Sequence, residues 1–251
     1  MLKKVILSAL FLLVLTVVIV QFPKLFIGKV GAYKSFTIYS NKAIEIDESV
    51  KIVLDSVLSN LQESAFHNDD NRFELFFIKG TFYEKLIRLL GRKNIAFSKF
   101  EKHIYAATPN FKTGVLGEKH NAYEWLNLVQ VISHEGVHSQ MYPDYYKNFR
   151  MITPFWINEG YSEYISYRPI REQEGYHLSD LVQKLESNED EWLITEYHSM
   201  TPREYVKSRV LIEYLIDVEQ REITDIIEDK TLDPNKLYLQ IKSYYTIPGN
   251  K

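Results

Sequence analysis

The fold class this sequence predicts is α+β, on two observations. Short runs with strand composition occur only up to Thr108, and segments of helical periodicity fill most of the chain beyond it. Strands first and helices afterwards indicate segregated α and β parts. No internal repeat or low-complexity tract suggests an array.

Phe36–Ser40 and Phe73–Ile78 have strand composition. Between them, Val50, Val53, Leu54, Val57, Leu58 and Leu61 recur at helical spacing, with Asp47 placed as the cap. Thr81 caps a short helix that stops at Gly91, and His103–Thr108 reads as a third strand. A long helix is predicted from about Asn121 to Tyr142. A second starts at Thr153-Pro154, a cap followed by proline at the first helical position. A third covers about Ser179 to Glu186. A fourth opens with Thr201-Pro202-Arg203-Glu204, read as a capping box. From Asp225 onward the pattern is helical in pieces.

The chain of 251 residues is 45% hydrophobic and 25% charged, enough to bury a full core without staples. Its net charge of −3 gives no electrostatic reason to expect nucleic acid. It has no Cys, which excludes disulfides, thiolate metal sites and cysteine nucleophiles.

Two segments follow from the N-terminus: 1–28 as a membrane segment and 29–251 as the functional domain. Lys3 and Lys4 precede an uncharged apolar run, Val5 to Val20, which as helix spans roughly 24 Å of a hydrocarbon core of about 30 Å. Phe22, Leu25, Phe26 and Ile27 extend its apolar character, although Pro23 and Lys24 interrupt it. The run ends without the small residues of a cleavage site, so an uncleaved signal-anchor is favoured over a cleaved peptide. Lysines flank the run on both sides and give little orientation signal. The expectation is a membrane-anchored domain on the extracytoplasmic side, secreted if the leader is cleaved.

Residues 134–138 are His-Glu-Gly-Val-His. Residues four apart on a helix share a face, so His134 and His138 can reach one Zn²⁺ at about 2.0–2.1 Å. Glu135 then lies beside the site as a general base for an activated water. Gly136 within the helix costs about 1 kcal/mol relative to Ala. A catalytic zinc takes three protein ligands and keeps a fourth position open, so a further ligand should follow. Glu159, in Pro154-Phe-Trp-Ile-Asn-Glu-Gly160, supplies it on the next helix. His67, His103, His120, His177 and His198 share no ligand spacing and read as surface or packing residues, with His198 close enough to Tyr205 in sequence to enter a cleft.

His-Glu-x-x-His followed by Trp156-Ile-Asn-Glu-Gly160 resembles the gluzincins, zinc peptidases whose third ligand is a Glu. It is similar to the aminopeptidase N family, where a Trp-Leu-Asn-Glu-Gly element carries that Glu at a spacing two residues shorter. It is also similar to thermolysin, with its Asn-Glu-x-x-x-Asp element. The likeness covers residues 130 to 165. It implies one zinc on His134, His138 and Glu159, with Glu135 as base. It further implies that Glu163 orients the first His and that Asn158 contacts the second, since ligating imidazoles need partners that fix their tautomer. Tyr205-Val-Lys-Ser208 resembles the Tyr-Glu-Lys-Gly element whose Tyr donates to the oxyanion, with Tyr197 and Tyr214 as rivals for that role. The Gly-x-Met-Glu-Asn element that recognises a substrate's free amino end has no counterpart between Lys79 and Asn121, so endopeptidase activity on peptide or protein substrates is the expectation.

The resemblance implies a small gluzincin-type peptidase domain, with a sheet above the active-site helix and a helical part carrying Glu159 and Tyr205. A substrate strand would pair with the sheet edge, assigned to His103–Thr108. The alternative from another class is a membrane-tethered binding or regulatory module that keeps zinc for structure.

Overall fold

Alternation and pairing set the sheet. The computed structural model describes residues 22–89, 96–99, 102–116, 126–145, 153–195 and 199–246. After a single 3-10 turn at Pro23–Leu25 come β1 (Lys29–Tyr33), β2 (Phe36–Ser40), α1 (Glu48–Gln62), β3 (Phe73–Phe77), α2 (Phe82–Leu89), β4 (Ala96–Lys99) and β5 (His103–Ala106). These strands form one sheet in the order β1-β2-β3-β5-β4. The three inner strands β2, β3 and β5 run parallel, and the two edges β1 and β4 pair antiparallel to their neighbours.

Every residue of β3 is buried, as a central strand covered on both faces requires. One face sends Phe36, Ile38, Phe73, Leu75, Phe77 and Ile104 into the main core. The other carries a ladder of rings. Tyr39, Phe76, Tyr105 and Phe97 are register partners on adjacent strands. They stack at centroid separations of 4.6, 5.0 and 4.6 Å. Cross-strand pairs of this kind are the unit that stabilises a sheet. Ile27 and Tyr83 of α2 join this second cluster.

Ile27 therefore belongs to the folded domain. Pro23 is buried beside it, and Lys24 reaches Glu74 at 2.7 Å. The apolar residues Phe22 to Ile27 do not prolong a membrane helix, and the folded unit begins before residue 29. The run Val5–Val20 lies outside the described residues, and among those described no helix is long and apolar enough to cross a membrane.

Beyond the sheet come two short strands, β6 (Pro109–Asn110) and β7 (Val115–Leu116), and then helices: α3 (Leu128–Tyr145), α4 (Phe155–Ser166), α5 (Arg168–Arg171) and α6 (Leu178–Ser187). A hairpin of β8 (Trp192–Ile194) and β9 (Met200–Pro202) leads into α7 (Arg203–Glu213), a π-helical stretch at Tyr214–Val218, α8 (Ile223–Glu228) and α9 (Pro234–Thr246). The predicted α+β class describes this architecture, and the five-stranded sheet does precede most of the helices, but the β6–β7 pair and the β8–β9 hairpin carry strand structure beyond Thr108, where none was expected.

Several starts differ from expectation. Asp47 does cap α1, accepting from the Val50 amide at 3.1 Å, and Thr81 caps α2 through the Glu84 amide at 3.0 Å. The long helix begins at Leu128 and not near Asn121. Asn127 caps it, its side-chain oxygen accepting from the Val129 and Gln130 amides. Thr153 and Thr201 cap nothing. Pro154 and Pro202 are themselves the N-cap residues, with extended ψ of 144° and 136°. The Pro154 carbonyl accepts from the amides of Ile157 and Asn158. Thr201 sits in β9, where its hydroxyl meets that of Tyr167 at 2.9 Å.

Helix α7 is held tightly. A methyl group at Gly160 of α4 would fall on the Ser208 carbonyl oxygen of α7, so only glycine lets these two helices approach as they do. One turn beyond Tyr205, Arg209 is 1% exposed and pairs with Glu213 at 3.3 Å. Its guanidinium donates to the Tyr176 hydroxyl at 3.0 Å and lies 4.3 Å from the Tyr167 ring centroid. Such fully partnered buried charges hold an element in one place.

Candidate metal centre

Helix α3 is buried on nearly all sides. Leu128 and Ile132 pack on one side of it and Val137 and Met141 on the opposite side, each 0% exposed, and the polar motif lies on the stripe between them. Gly136 has a packing reason: a Cβ there would come within 2.8 Å of Leu61 Cδ2 on α1. Polar pins hold the same contact. Asn60 donates to Ser133 at 3.1 Å, and Gln140 donates to the Leu61 carbonyl at 3.1 Å, satisfying a helix-end acceptor.

His134, His138 and Glu159 converge. The two Nε2 atoms are 3.0 Å apart. Glu159 Oε2 stands 3.1 Å from that of His134 and 3.5 Å from that of His138. Four donors arranged tetrahedrally at about 2.0–2.1 Å from a zinc ion are about 3.3 Å from one another. The observed triangle is close to one face of that figure. Calcium, bound by six or more oxygens at about 2.3–2.6 Å, does not suit two imidazoles and one carboxylate. Among the described residues this is the one group of three or more potential ligands that can share an ion. The donor set suits a transition-metal ion, zinc among them.

The outer nitrogens are also engaged. His134 Nδ1 pairs with Glu163 Oε1 at 2.8 Å, an ion-pair contact whose angle falls short of a hydrogen bond. His138 Nδ1 is 3.1 Å from Asn158 Oδ1 and 3.2 Å from Ser162 Oγ. In the neutral tautomer that carries its proton on Nδ1, each imidazole would offer its Nε2 lone pair to the same point. The sequence pointed to Asn158 and Glu163. It did not single out Ser162, which was accessible to the same reasoning as the next residue on the Asn158 stripe, one turn on.

The charges are strongly coupled. Burial disfavours protonated His134, but Glu159 and Glu163 outweigh it and hold its pKa well above the usual imidazole value. Burial pushes Glu159 up, and the two imidazoles more than reverse this, leaving its carboxyl well below the usual range. Glu135 is 9% exposed. Burial raises its pKa, the neighbouring imidazoles opposing.

The Ser98 hydroxyl lies near enough to Glu135 to favour its ionised form, against the effect of burial; the sequence did not single this residue out. Phe97 stacks on Tyr105 on the outer face of the sheet. Alternation therefore turns Ser98 to the inner face, toward α3. Strand β4 is too short for periodicity to reveal it. Its position also corrects the expected substrate edge. The His103–Ala106 strand is internal, paired on both sides, and β4 is the edge nearest the motif.

Tyr205 lies in the first turn of α7, and its ring is parallel to that of His134, 5.7 Å away with an interplanar angle of 1°. Burial raises its phenol pKa, and Glu159, Glu135 and Glu163 add to the effect, so the hydroxyl stays a neutral donor. Its rival Tyr214 is 5% exposed and packs on Tyr244. Tyr197 and His198 lie outside the described residues. His103 is a packing residue, paired with Glu74 at 3.0 Å.

Compared with protein-family models, curated proteins and solved structures, the chain matches none.

The Glu163 contact has a measurable consequence. For a zinc ion held by this cluster, Glu163→Ala should weaken binding by roughly 10- to 100-fold, as loss of an outer partner of a ligating His does, with the fold intact. Competitive titration against a chelator of known affinity checks it. Unchanged affinity would reduce Glu163 to an ordinary helix carboxylate.

Proposed function

We propose that this protein is a zinc-dependent peptidase of the gluzincin type, and that His134, His138 and Glu159 hold the ion. The observation that carries the reading is the buried, non-ligating Glu135 directly beside three converging ligand atoms. A structural zinc site closes itself with four protein ligands and has no use for an extra buried carboxylate. A zinc ion there supplies Lewis acidity, polarising a carbonyl and making water more acidic.

The remaining chemistry belongs to the chain. Glu135 accepts the proton of the attacking water and returns it to the leaving amine. The Ser98 hydroxyl favours the ionised, proton-accepting form of Glu135. Tyr205 donates a hydrogen bond to the oxygen on which negative charge develops. Glu163 and Asn158 fix the tautomers of the two histidines. An extended substrate adds to β4, the edge of the sheet among the described strands, whose inner face is turned toward Glu135, so main-chain pairing brings a peptide past the base. Because the element that would recognise a free amino end is lacking, the reading is an endopeptidase acting on peptide or protein chains, anchored through the run Val5–Val20 with the domain extracytoplasmic.

The test is cleavage of a generic unfolded protein by the full chain, before and after removal of metal. Activity should vanish with a chelator and return with about one zinc per chain, the stoichiometry of a single site. Hydrolysis that survives complete metal removal, or a zinc-loaded protein inert toward every unfolded substrate, would overturn the proposal.

A further inference from the structure

Phe155 opens α4 and is 55% exposed. Isolated exposed apolar residues are ordinary, and Phe82 and Leu239 are two of them. Phe155 differs by its surroundings. It lies four residues before Glu159, on the same helical face. Its ring meets that of Tyr205 edge to face, at 5.7 Å and 61°. The Tyr205 ring in turn lies parallel to His134. Three rings thus step outward from the ligand cluster to the surface, and the outermost has no hydrogen-bonding group.

We infer that Phe155 and the Tyr205 ring form the wall of a subsite for an apolar side chain, aliphatic or aromatic, next to the scissile bond, which makes Phe155 a specificity-determining residue. The inference rests on the peptidase reading above. A polar or charged side chain set against Phe155 would lose water and gain no partner. An apolar one would cover the exposed ring and be favoured by the area buried, and an aromatic one could also meet Phe155 face to edge.

A rival role is steric support of Tyr205. The two differ in what they change: support for Tyr205 affects all substrates equally, whereas a subsite wall affects the ratio between them.

The experiment uses the zinc-loaded full chain and peptides matched except at one position beside the cleaved bond, carrying Leu, Phe, Ser or Asp. Wild type should favour Leu and Phe over Ser and Asp by about 10- to 100-fold in kcat/KM, the range an apolar pocket achieves. Phe155→Ala should cut that ratio by about tenfold, chiefly through KM, and Phe155→Leu should keep most of it. A second readout needs no turnover. In the Glu135→Gln background, fluorescence anisotropy of the same peptides should show Phe155→Ala weakening the Leu and Phe peptides and leaving the Ser peptide unchanged. An unaltered ratio in both measurements, or an equal loss for all peptides, overturns the inference. Selective binding without any hydrolysis by the Glu135-containing protein would instead sink the peptidase reading and leave the apolar subsite standing.

Discussion

Glu135→Gln is expected to lower peptide hydrolysis by about 10²- to 10⁴-fold, the usual worth of a positioned proton-transfer group, with zinc still bound at one per chain. The substitution keeps the size of the side chain. The three groups proposed to hold the ion do not include position 135, so metal content should not change. Stability should hold or rise. Glu135 is a buried carboxyl whose burial opposes ionisation, and a neutral amide of the same shape avoids that cost. The variant therefore separates chemistry from folding and from metal binding. Turnover is followed with a quenched fluorescent peptide, zinc by elemental analysis, and folding by thermal melting. Wild-type turnover in a folded, zinc-loaded variant would exclude Glu135 as the base. Loss of zinc together with activity would mean that residue 135 is part of the ligand set, which the observed geometry does not suggest.

What the sequence made legible at the centre was what helices translate directly. His134 and His138 lie four apart on α3, and Glu159 and Glu163 four apart on α4, so spacing along the chain is spacing in space. Each pairing expected from the resemblance is present: Glu163 with His134 and Asn158 with His138. Placement that depends on long-range pairing was not legible. Nothing local reveals that four residues, Ala96 to Lys99, pair outside His103–Ala106 and take the edge. The expected substrate edge was consequently assigned one strand too far in, and Ser98 was missed with it.

The two helix starts expected at Thr153 and Thr201 failed for a single physical reason. Thr153 and Thr201 each precede a proline, and the ring of a proline pushes the residue before it into extended backbone. Proline already has a φ suited to a helix start and no amide proton to satisfy. The chain therefore turns at Pro154 and Pro202, and the threonine hydroxyls are left free of capping. Thr201 uses its hydroxyl on Tyr167, beneath the Arg209 guanidinium, which helps to fix the start of α7. The sequence placed Tyr205 in the correct turn, but the capping box it relied on does not form.

Tyr205→Phe should lower kcat by on the order of 10²–10³, about 3–4 kcal/mol, as removal of an oxyanion donor does. The change deletes one hydroxyl and keeps the ring. Stacking on His134 and the edge contact with Phe155 both survive, so zinc affinity and folding should be close to wild type. The phenol suits the role because its pKa is raised by burial and then by Glu159, Glu135 and Glu163. It remains protonated well above neutral pH and donates a hydrogen bond without becoming an anion among carboxylates. Its backbone is held by the approach of α4 at Gly160 and by the buried Arg209–Glu213 pair, so little reorganisation is needed when charge appears. Because the interaction strengthens as the carbonyl oxygen becomes negative, kcat should fall while KM changes little. A rise in KM at constant kcat would assign Tyr205 to ground-state binding, the same wall to which Phe155 belongs. Unchanged kinetics would remove it from the mechanism and make the resemblance of Tyr205-Val-Lys-Ser208 to the family element an accident of composition in a chain with 18 Tyr.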